Sequence, residues 1–142
     1  MNVETILQAK GTLVYTLPET ATLSQAVALL NDHNIGALVI TGADDTVVGI
    51  LSERDVIRQL SGDLASPLAQ PVSTVMTRAV LNCARDTPID QVMDRMTNRR
   101  VRHLPVVEGT ALIGIISIGD VVKAKIEEIE HDAEALREYI AG

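Results

Sequence analysis

The sequence predicts a mixed α/β fold built from two tandem copies of one strand-helix-strand-strand-helix (β-α-β-β-α) unit. The first observation is a motif that occurs twice, as GILSERD at residues 49–55 and as GIISIGD at residues 114–120. The second is an offset of 66 residues that lays Val14 on Val80 and keeps the apolar pattern aligned as far as Ile40 on Val106. Self-similarity of this extent indicates a tandem duplication.

The duplication predicts how the chain is organised. We place repeat 1 at residues 10–61, a linker rich in Ser, Pro and Gly at 62–75, repeat 2 at 76–126 and a helical extension at 127–142. A unit of about 50 residues buries little surface by itself, so we expect the two repeats to pack together as one module.

The elements of repeat 1 follow from apolar periodicity and turn residues. Thr22 and Gln25 have the spacing of a capping box and predict a helix start, and His33-Asn34 predicts its end. The expected elements are a lead-in helix at 3–9, a strand at 13–17 ended by Pro18, a helix from Thr22, strands at 36–40 and 47–51, and a helix at 52–60.

Repeat 2 shows the same order of elements. Thr87-Pro88 predicts a helix with proline in its first turn, and Ile89, Val92, Met93 and Met96 are expected to face inward. The other expected elements are strands at 80–83, 104–107 and 112–116, a turn at Glu108-Gly109, and a long helix from about 120 to 140.

The long helix carries an apolar seam of heptad spacing. Its apolar positions alternate by four and three residues, and acidic residues lie outside them. Because this helix extends beyond its own repeat, its apolar seam needs another surface to pack on. That surface is either the rest of this chain or a second copy in a homodimer. We define the seam as Val122, Ile126, Ile129, Ala133, Leu136 and Ile140.

Composition narrows the function classes. The chain is 46% hydrophobic, has a formal net charge of −7 and contains two tyrosines as its only aromatic residues, so nucleic acid and anionic lipid are poor partners. No apolar stretch approaches the roughly 20 residues that cross a bilayer, and the N-terminus lacks the features of a signal peptide. We therefore expect a cytoplasmic protein without membrane association, in which the lone Cys83 is a small buried side chain.

Each repeated motif places a strand directly before a helix. The junction presents a serine hydroxyl, a carboxylate and unpaired backbone N–H groups at a helix N-terminus, and these groups suit a polyhydroxylated, phosphorylated ligand. The alternative is that Ser52-x-x-Asp55 and Ser117-x-x-Asp120 only cap their helices. The basic run at 99–103 is either a solvated face or a phosphate site.

Taken together, the two β-α-β-β-α copies that end in Gly-Ile-(Leu/Ile)-Ser-x-x-Asp resemble a pair of cystathionine-β-synthase (CBS) domains. Val75-Met76-Thr77 at the start of the second copy and the run from Arg102 to Val107 on its middle strand add to this resemblance. The chain is similar to the small stand-alone CBS-pair proteins. The resemblance implies a pseudo-twofold Bateman module with two clefts for adenosine derivatives such as AMP, ADP, ATP, NAD or S-adenosylmethionine, and a homodimer.

The resemblance also implies two unequal clefts, each built from both repeats. In one, Asp120 takes the ribose hydroxyls, with Ser117, Ile115, Lys10, Leu13, Tyr15 and Ile35 around the nucleoside and Arg102 and His103 at phosphate. In the other, Asp55 takes the ribose, with Ser52, Ile50, Met76, Ala79, Leu81 and Val101 around it and Arg54 at phosphate. Gly119 stands where Arg54 would recur, and Gly36-Ala37 where Arg102-His103 would, so we expect the two clefts to differ in affinity.

The sequence shows none of the common catalytic motifs. The histidines, Cys83 and the acids lack metal-ligand spacing, and no Gly-rich phosphate loop or nucleophile elbow is present. We therefore expect no enzyme and no metal or catalytic cofactor, but a regulatory module that senses an adenosine-containing ligand and modulates an unidentified partner protein. The alternative is a ligand-free scaffold for dimerisation.

Overall fold

The computed structural model describes residues 1–78 and 80–142, which divide into two compact units. We call Leu13–Leu81 with Gly109–Leu112 unit I, and Met1–Thr12, Asn82–Glu108 and Ile113–Gly142 unit II. In chain order the elements are α1 (Val3–Lys10), β1 (Thr16–Pro18), α2 (Leu23–His33), β2 (Ala37–Thr41), β3 (Val47–Ser52), α3 (Glu53–Leu60), α4 (Ile89–Arg99), β4 (His103–Glu108), β5 (Ala111–Ser117) and α5 (Ile118–Ala141). The predicted mixed fold of repeated strands and helices with a long C-terminal helix is confirmed.

Unit I is built on a three-stranded sheet of order β1-β2-β3. β1 runs parallel to β2 and β3 antiparallel to it. The backbone of Ile50 also exchanges two hydrogen bonds with Thr77, at 3.0 and 2.9 Å, so the chain after the linker covers the far edge of β3. The interior of the unit is aliphatic, and its fully buried side chains include Leu23, Leu38, Ile40 and Leu51.

The predicted start and end of α2 are confirmed. Thr22 is the N-cap: its hydroxyl accepts the Gln25 N–H at 3.2 Å, and the Gln25 side chain accepts the Thr22 N–H at 2.9 Å. Asn34 ends the helix in the left-handed conformation, with φ of 53°. Asparagine tolerates that conformation better than most residues, so this local signal is readable from sequence.

The predicted strand at 13–17 is wrong in its position. β1 begins at Thr16 and includes Pro18, while Leu13 is exposed. β1 pairs with β2 from Thr16 opposite Val39 to Pro18 opposite Thr41, and Thr41 is the last residue of β2. Proline is tolerated there because it is the last residue of an edge strand.

Unit II contains α1 in addition to the elements of the second repeat. The predicted lead-in helix is confirmed, and its first turn is tied to the segment before α4, since the Val3 and Glu4 N–H groups donate to the carbonyl oxygens of Thr87 (3.0 Å) and Arg85 (2.8 Å). The Glu4 carboxylate also pairs with the Arg85 guanidinium at 2.9 Å. Val3, Ile6 and Leu7 are buried.

The predicted strand at 80–83 is not formed in the described residues, where Cys83 makes only an isolated parallel bridge with Val106. The Cys83 N–H donates to the Pro105 carbonyl at 3.0 Å, and the Val107 N–H donates to the Cys83 carbonyl at 2.9 Å. Extending this ladder towards Leu81 would need an N–H at position 105, and proline has none. Pro105 therefore limits the pairing to a single bridge.

The helix after Thr87 starts one residue later than predicted. Pro88 is the N-cap of α4 instead of a residue of its first turn. Ile89, Val92 and Met96 are buried as expected, whereas Met93 is only half-buried.

α5 has two different apolar faces. Val121 and Ala124 are buried within unit II. The predicted seam lies on another face, where Ile126 is 51%, Leu136 is 59% and Ile140 is 75% exposed. The first two residues of the seam, Val122 and Ile126, line an open space of about 550 Å³ whose other lining residues also belong to α5. The seam is thus uncovered within the described chain. No helix in the described part of the chain combines the length and the apolar character that crossing a membrane requires.

Candidate functional site

The repeated motif forms the same capping box in both units. In unit I, Ser52 is the N-cap of α3, and its hydroxyl accepts the Asp55 N–H at 3.3 Å. The Asp55 Oδ2 atom accepts the Ser52 N–H at 2.9 Å and the Ser52 hydroxyl at 3.1 Å. Asp55 is buried, with 8% of its surface exposed. Ser52 and Asp55 therefore do cap their helix, and the carboxylate uses its Oδ2 atom to do so.

In unit II the carboxylate has an additional partner. The Ser117 hydroxyl accepts the Asp120 N–H at 3.2 Å, and Asp120 Oδ2 accepts the Ser117 N–H at 2.8 Å. The Lys10 Nζ atom donates to the same Oδ2 at 2.7 Å and to the Ile115 carbonyl oxygen at 3.0 Å. The junction of unit II is thus a lysine-aspartate ion pair placed on a capping box.

Capping engages only one of the two oxygens of each carboxylate, Oδ2. Among the described residues, neither Asp55 nor Asp120 has a hydrogen bond at Oδ1, and no buried side-chain polar atom lacks a partner. A carboxylate oxygen has two lone pairs and can accept from a hydroxyl group. The geometry therefore allows each aspartate to cap a helix with one oxygen and to accept a ligand hydroxyl with the other.

The environment of Asp120 favours its charged form. Burial raises the pKa of this carboxyl, but hydrogen bonds from Lys10 and from the Ser117 N–H, together with the positive charge of Lys10, outweigh burial and hold the pKa below its ordinary value. Both partners are partly accessible, because the side chains of Lys10 and Asp120 are 33% and 24% exposed. The pair therefore lies where a ligand from solvent can reach it.

Ile50 in β3 and Ile115 in β5, the predicted apolar contacts of the ligand, are both half-buried. Met76 packs over Gly49, immediately before Ile50. Ile50, Ser52, Asp55 and Met76 all belong to unit I, and their joint role in binding a ligand stays a prediction.

The predicted phosphate-binding cations also lie near the junctions. Arg54 is exposed in the first turn of α3. In unit II, the Ile118 N–H donates to the Arg102 carbonyl at 2.8 Å, as the Glu53 N–H donates to the Gly36 carbonyl at 3.0 Å in unit I. The bond from Ile118 holds the backbone of Arg102 at the start of α5, and the Arg102 side chain is exposed. His103 follows at the start of β4, half-buried and engaged in an interaction of its own.

The other predicted ligand residues are distributed over both units. Leu13, Tyr15, Ile35 and Leu81 belong to unit I, Val101 belongs to unit II, and Ala79 lies outside the described residues. The Tyr15 ring stacks on His33, with centroids 3.9 Å apart. This contact could not be predicted from the sequence, since 18 positions separate the two rings and no motif joins them.

Cys83 is buried, as predicted. Burial raises the pKa of its thiol to about 11, and the nearby positive charge of Arg95 offsets this only in part. Within residues 1–78 and 80–142, no group of three or more His, Cys, Asp or Glu side chains has an arrangement suited to a metal ion.

Comparison with known proteins gives two matches to one family model, described as "CBS domain", at residues 13–62 and 72–127. Among curated proteins, the chain is 34% identical over 125 residues to the mitochondrial CBS domain-containing protein CBSX3 of Arabidopsis thaliana. That match covers 85% of this chain and 61% of the relative, so the match spans slightly less than two thirds of the length of that protein.

Solved structures with the same fold include proteins bound to adenosine derivatives. The CBS-domain containing protein ATU1752 from Agrobacterium tumefaciens is 44% identical, with a TM-score of 0.83 and coverage of 87% of this chain and 92% of that one. The CBS domain protein PAE2072 from Pyrobaculum aerophilum, complexed with AMP, is 26% identical, with a TM-score of 0.76 and coverage of 84% and 89%. The CBS domain pair of MJ0100, in complex with 5'-methylthioadenosine and S-adenosyl-L-methionine, is 25% identical, with a TM-score of 0.78 and coverage of 87% and 98%.

Proposed function

Because this chain belongs to the CBS domain family, we propose that it is a regulatory module that binds an adenosine-containing ligand and thereby modulates a partner protein. The observation that carries the proposal is the pair of capped strand-helix junctions, in which Asp55 and Asp120 each keep Oδ1 available to a ligand hydroxyl. Relatives of the same fold that bind AMP, or methylthioadenosine and S-adenosylmethionine, support the choice of ligand class.

In the proposed mechanism, the aspartate of each junction accepts hydrogen bonds from the ribose, because a carboxylate suits a diol. Ile50 and Ile115 contact the purine, as a half-buried aliphatic side chain provides apolar area for it. Arg54 in unit I, and Lys10, Arg102 and His103 in unit II, bind phosphate, because cations gain charge-assisted hydrogen bonds there. The remaining predicted contacts, Leu13, Tyr15, Ile35, Met76, Ala79, Leu81 and Val101, stay predictions.

We further propose that the ligand is bound and released unchanged. The carboxylates at the junctions are engaged in capping and, for Asp120, in an ion pair, and these roles require no proton transfer to a substrate. Binding changes the populations of conformations that a partner can recognise, provided that the ligand favours one of them.

The proposal is tested by thermal unfolding with AMP, ADP, ATP, NAD and S-adenosylmethionine. A ligand at a hundred times its dissociation constant should stabilise the protein by about 2.7 kcal/mol. The double variant Asp55→Asn with Asp120→Asn keeps the side-chain shape and should lose the shift. Glu53→Gln, at an exposed residue of the same helical turn as the buried Asp55, removes one negative charge and should keep the shift. A shift that survives in the double variant, or chromatographic conversion of the ligand, would contradict the proposal.

A second function, self-association through α5, is favoured by the exposed seam. We propose that a second copy of this chain covers it. In a parallel pair of seam helices, Asp132 of one copy lies opposite Arg137 of the other, and this pair is attractive. A scaffold that only dimerises would keep this association and show no thermal shift with any of the five ligands.

A further inference from the structure

Lys10 holds a central place in the junction of unit II. Its ammonium group bridges Asp120 Oδ2, at 2.7 Å, and the Ile115 carbonyl oxygen, at 3.0 Å. These are the first-turn carboxylate of α5 and the backbone of the strand that precedes it. Lys10 therefore binds Oδ2 of this carboxylate and leaves Oδ1 without a hydrogen bond among the described residues.

The position of Lys10 is set by α1. The first turn of α1 is held by the backbone of Arg85 and Thr87, and Leu7 packs on Gly114 of β5. Gly11 ends the helix directly after Lys10, with its N–H donating to the Leu7 carbonyl at 2.7 Å. The Lys10 backbone is thus fixed while its flexible side chain carries the charge.

Unit I has no lysine at the position equivalent to Lys10. Under the repeat offset, Met76 corresponds to Lys10, and Ile50 corresponds to Ile115. Ile50 bonds to the backbone of Thr77, and among the described residues Asp55 has no ion pair. In the junction of unit II, the Lys10 side chain can therefore exchange Asp120 for another anion. In the junction of unit I, Asp55 has no ion pair among the described residues, and the backbone of Thr77 bonds to Ile50 instead of a lysine.

We propose that Lys10 makes the Asp120 junction selective for anionic adenosine ligands over neutral and cationic ones, whereas the Asp55 junction lacks this selectivity. The inference rests on the proposed function and adds a charge preference to one of its two sites. The side chains of Lys10, Arg102 and Asp120 sum to one positive charge in unit II, whereas those of Glu53, Arg54 and Asp55 sum to one negative charge in unit I. The phosphate of AMP gives the ammonium a second anionic partner, whereas adenosine offers none and the sulfonium of S-adenosylmethionine is repelled.

The test measures each junction separately by calorimetric titration with AMP, adenosine and S-adenosylmethionine. Asp55→Asn retains the Asp120 junction, and Asp120→Asn retains the Asp55 junction. In the Asp55→Asn protein, adding Lys10→Met should lower the ratio of AMP affinity to adenosine affinity by about tenfold, because one charge-assisted contact is lost. Lys10→Arg, which keeps the charge, should largely preserve the ratio.

Two matched controls identify the effect as local. Lys123→Met removes an exposed positive charge from α5 of the same unit and should leave the ratio unchanged. In the Asp120→Asn protein, Lys10→Met should change no affinity. An unchanged ratio in a Lys10→Met protein that still binds AMP would overturn the role of Lys10 alone. Wild-type protein that binds none of the three ligands would refute the proposed function, and the inference with it.

Discussion

Leu7 packs on Gly114 so closely that a Cβ atom at position 114 would lie 2.8 Å from Leu7 Cδ2. The equivalent Gly49 in unit I is covered by the Met76 side chain and by the Thr77 carbonyl oxygen, which would lie 3.1 Å from a Cβ atom. In both units the glycine of the repeated motif is therefore required by the segment that crosses it.

The first prediction concerns these two glycines. Gly49→Ala and Gly114→Ala should each lower the free energy of unfolding by about 1–3 kcal/mol, because the added methyl group overpacks a closed contact. Gly49→Ala should cost more, since a backbone oxygen cannot turn aside as a leucine methyl group can. Urea denaturation measures both.

The chain supplies a control for this comparison. At Gly119, the nearest atom to an added Cβ is Ser117 Oγ at 3.6 Å, and alanine is a better helix former than glycine. Gly119→Ala should therefore leave stability unchanged or raise it by up to about 1 kcal/mol. Equal stability of Gly49→Ala and the wild type would show that the crossing segment is not packed as described.

The second prediction concerns the titration of Asp120. Its pKa is held below the ordinary 3.8, against the effect of burial, largely by Lys10. Lys10→Met should raise this pKa, which carbon-detected NMR titration of the carboxyl measures directly. Lys123→Met should not change it.

The sign of the stability effect follows from the same pair. A carboxyl whose pKa is lowered by folding stabilises the protein above its ordinary pKa, and this stabilisation is lost as the pH falls through the lower folded value. The difference in unfolding free energy between wild type and Lys10→Met should thus be present at neutral pH and disappear in strong acid. A difference that is independent of pH would contradict the ion pair as its source.

The third prediction concerns Cys83. With a thiol pKa of about 11 in place of 9.0, the thiolate fraction near pH 8 is lower by about a hundredfold, and the thiolate is the reactive form. Native protein should therefore react with a thiol reagent at least about a hundredfold more slowly than protein in denaturant. Rapid labelling of the native state would mean that the segment before α4 opens readily.

The fourth prediction concerns the seam of α5. Leu136→Glu should shift the protein towards monomer in size-exclusion chromatography with light scattering, because the seam then carries a charge that self-association would bury. Its effect on the stability of the monomer should be small, since Leu136 is already exposed. Leu64→Glu, at another exposed leucine, serves as the matched control.

Charge exchange tests the orientation of the two helices. Asp132→Arg should weaken a parallel dimer, and Asp132→Arg with Arg137→Asp should restore it, because the attractive pair is rebuilt with reversed polarity. Wild-type protein that stays monomeric at high micromolar concentration would contradict the self-association proposal.

The features that could be predicted from sequence are local or repeated. The capping boxes at Thr22, Ser52 and Ser117 each involve residues three positions apart, so their spacing is visible without a fold. The duplication then made the strand-helix junctions recognisable as equivalent, because the same residues recur where the same local geometry is needed.

The features that could not be predicted depend on distant partners. Lys10 and Asp120 are 110 positions apart, and neither repeat contains both, so the resemblance indicated Lys10 as a ligand contact but not its ion pair with Asp120. The expected strand at 80–83 is limited by Pro105 on the neighbouring strand, and β1 extends to Pro18 because its pairing with β2 continues to Thr41, the last residue of β2. In each of these cases a residue's environment is determined by an element elsewhere in the chain.

The stacking of Tyr15 on His33 gives this protein an intrinsic optical reporter. The chain contains no tryptophan, and its other tyrosine, Tyr139, is 85% exposed near the C-terminal end of α5. Ultraviolet emission therefore comes from one ring against an imidazole and one ring in water. A purine that takes the place of His33 on the first ring would change its emission without any label.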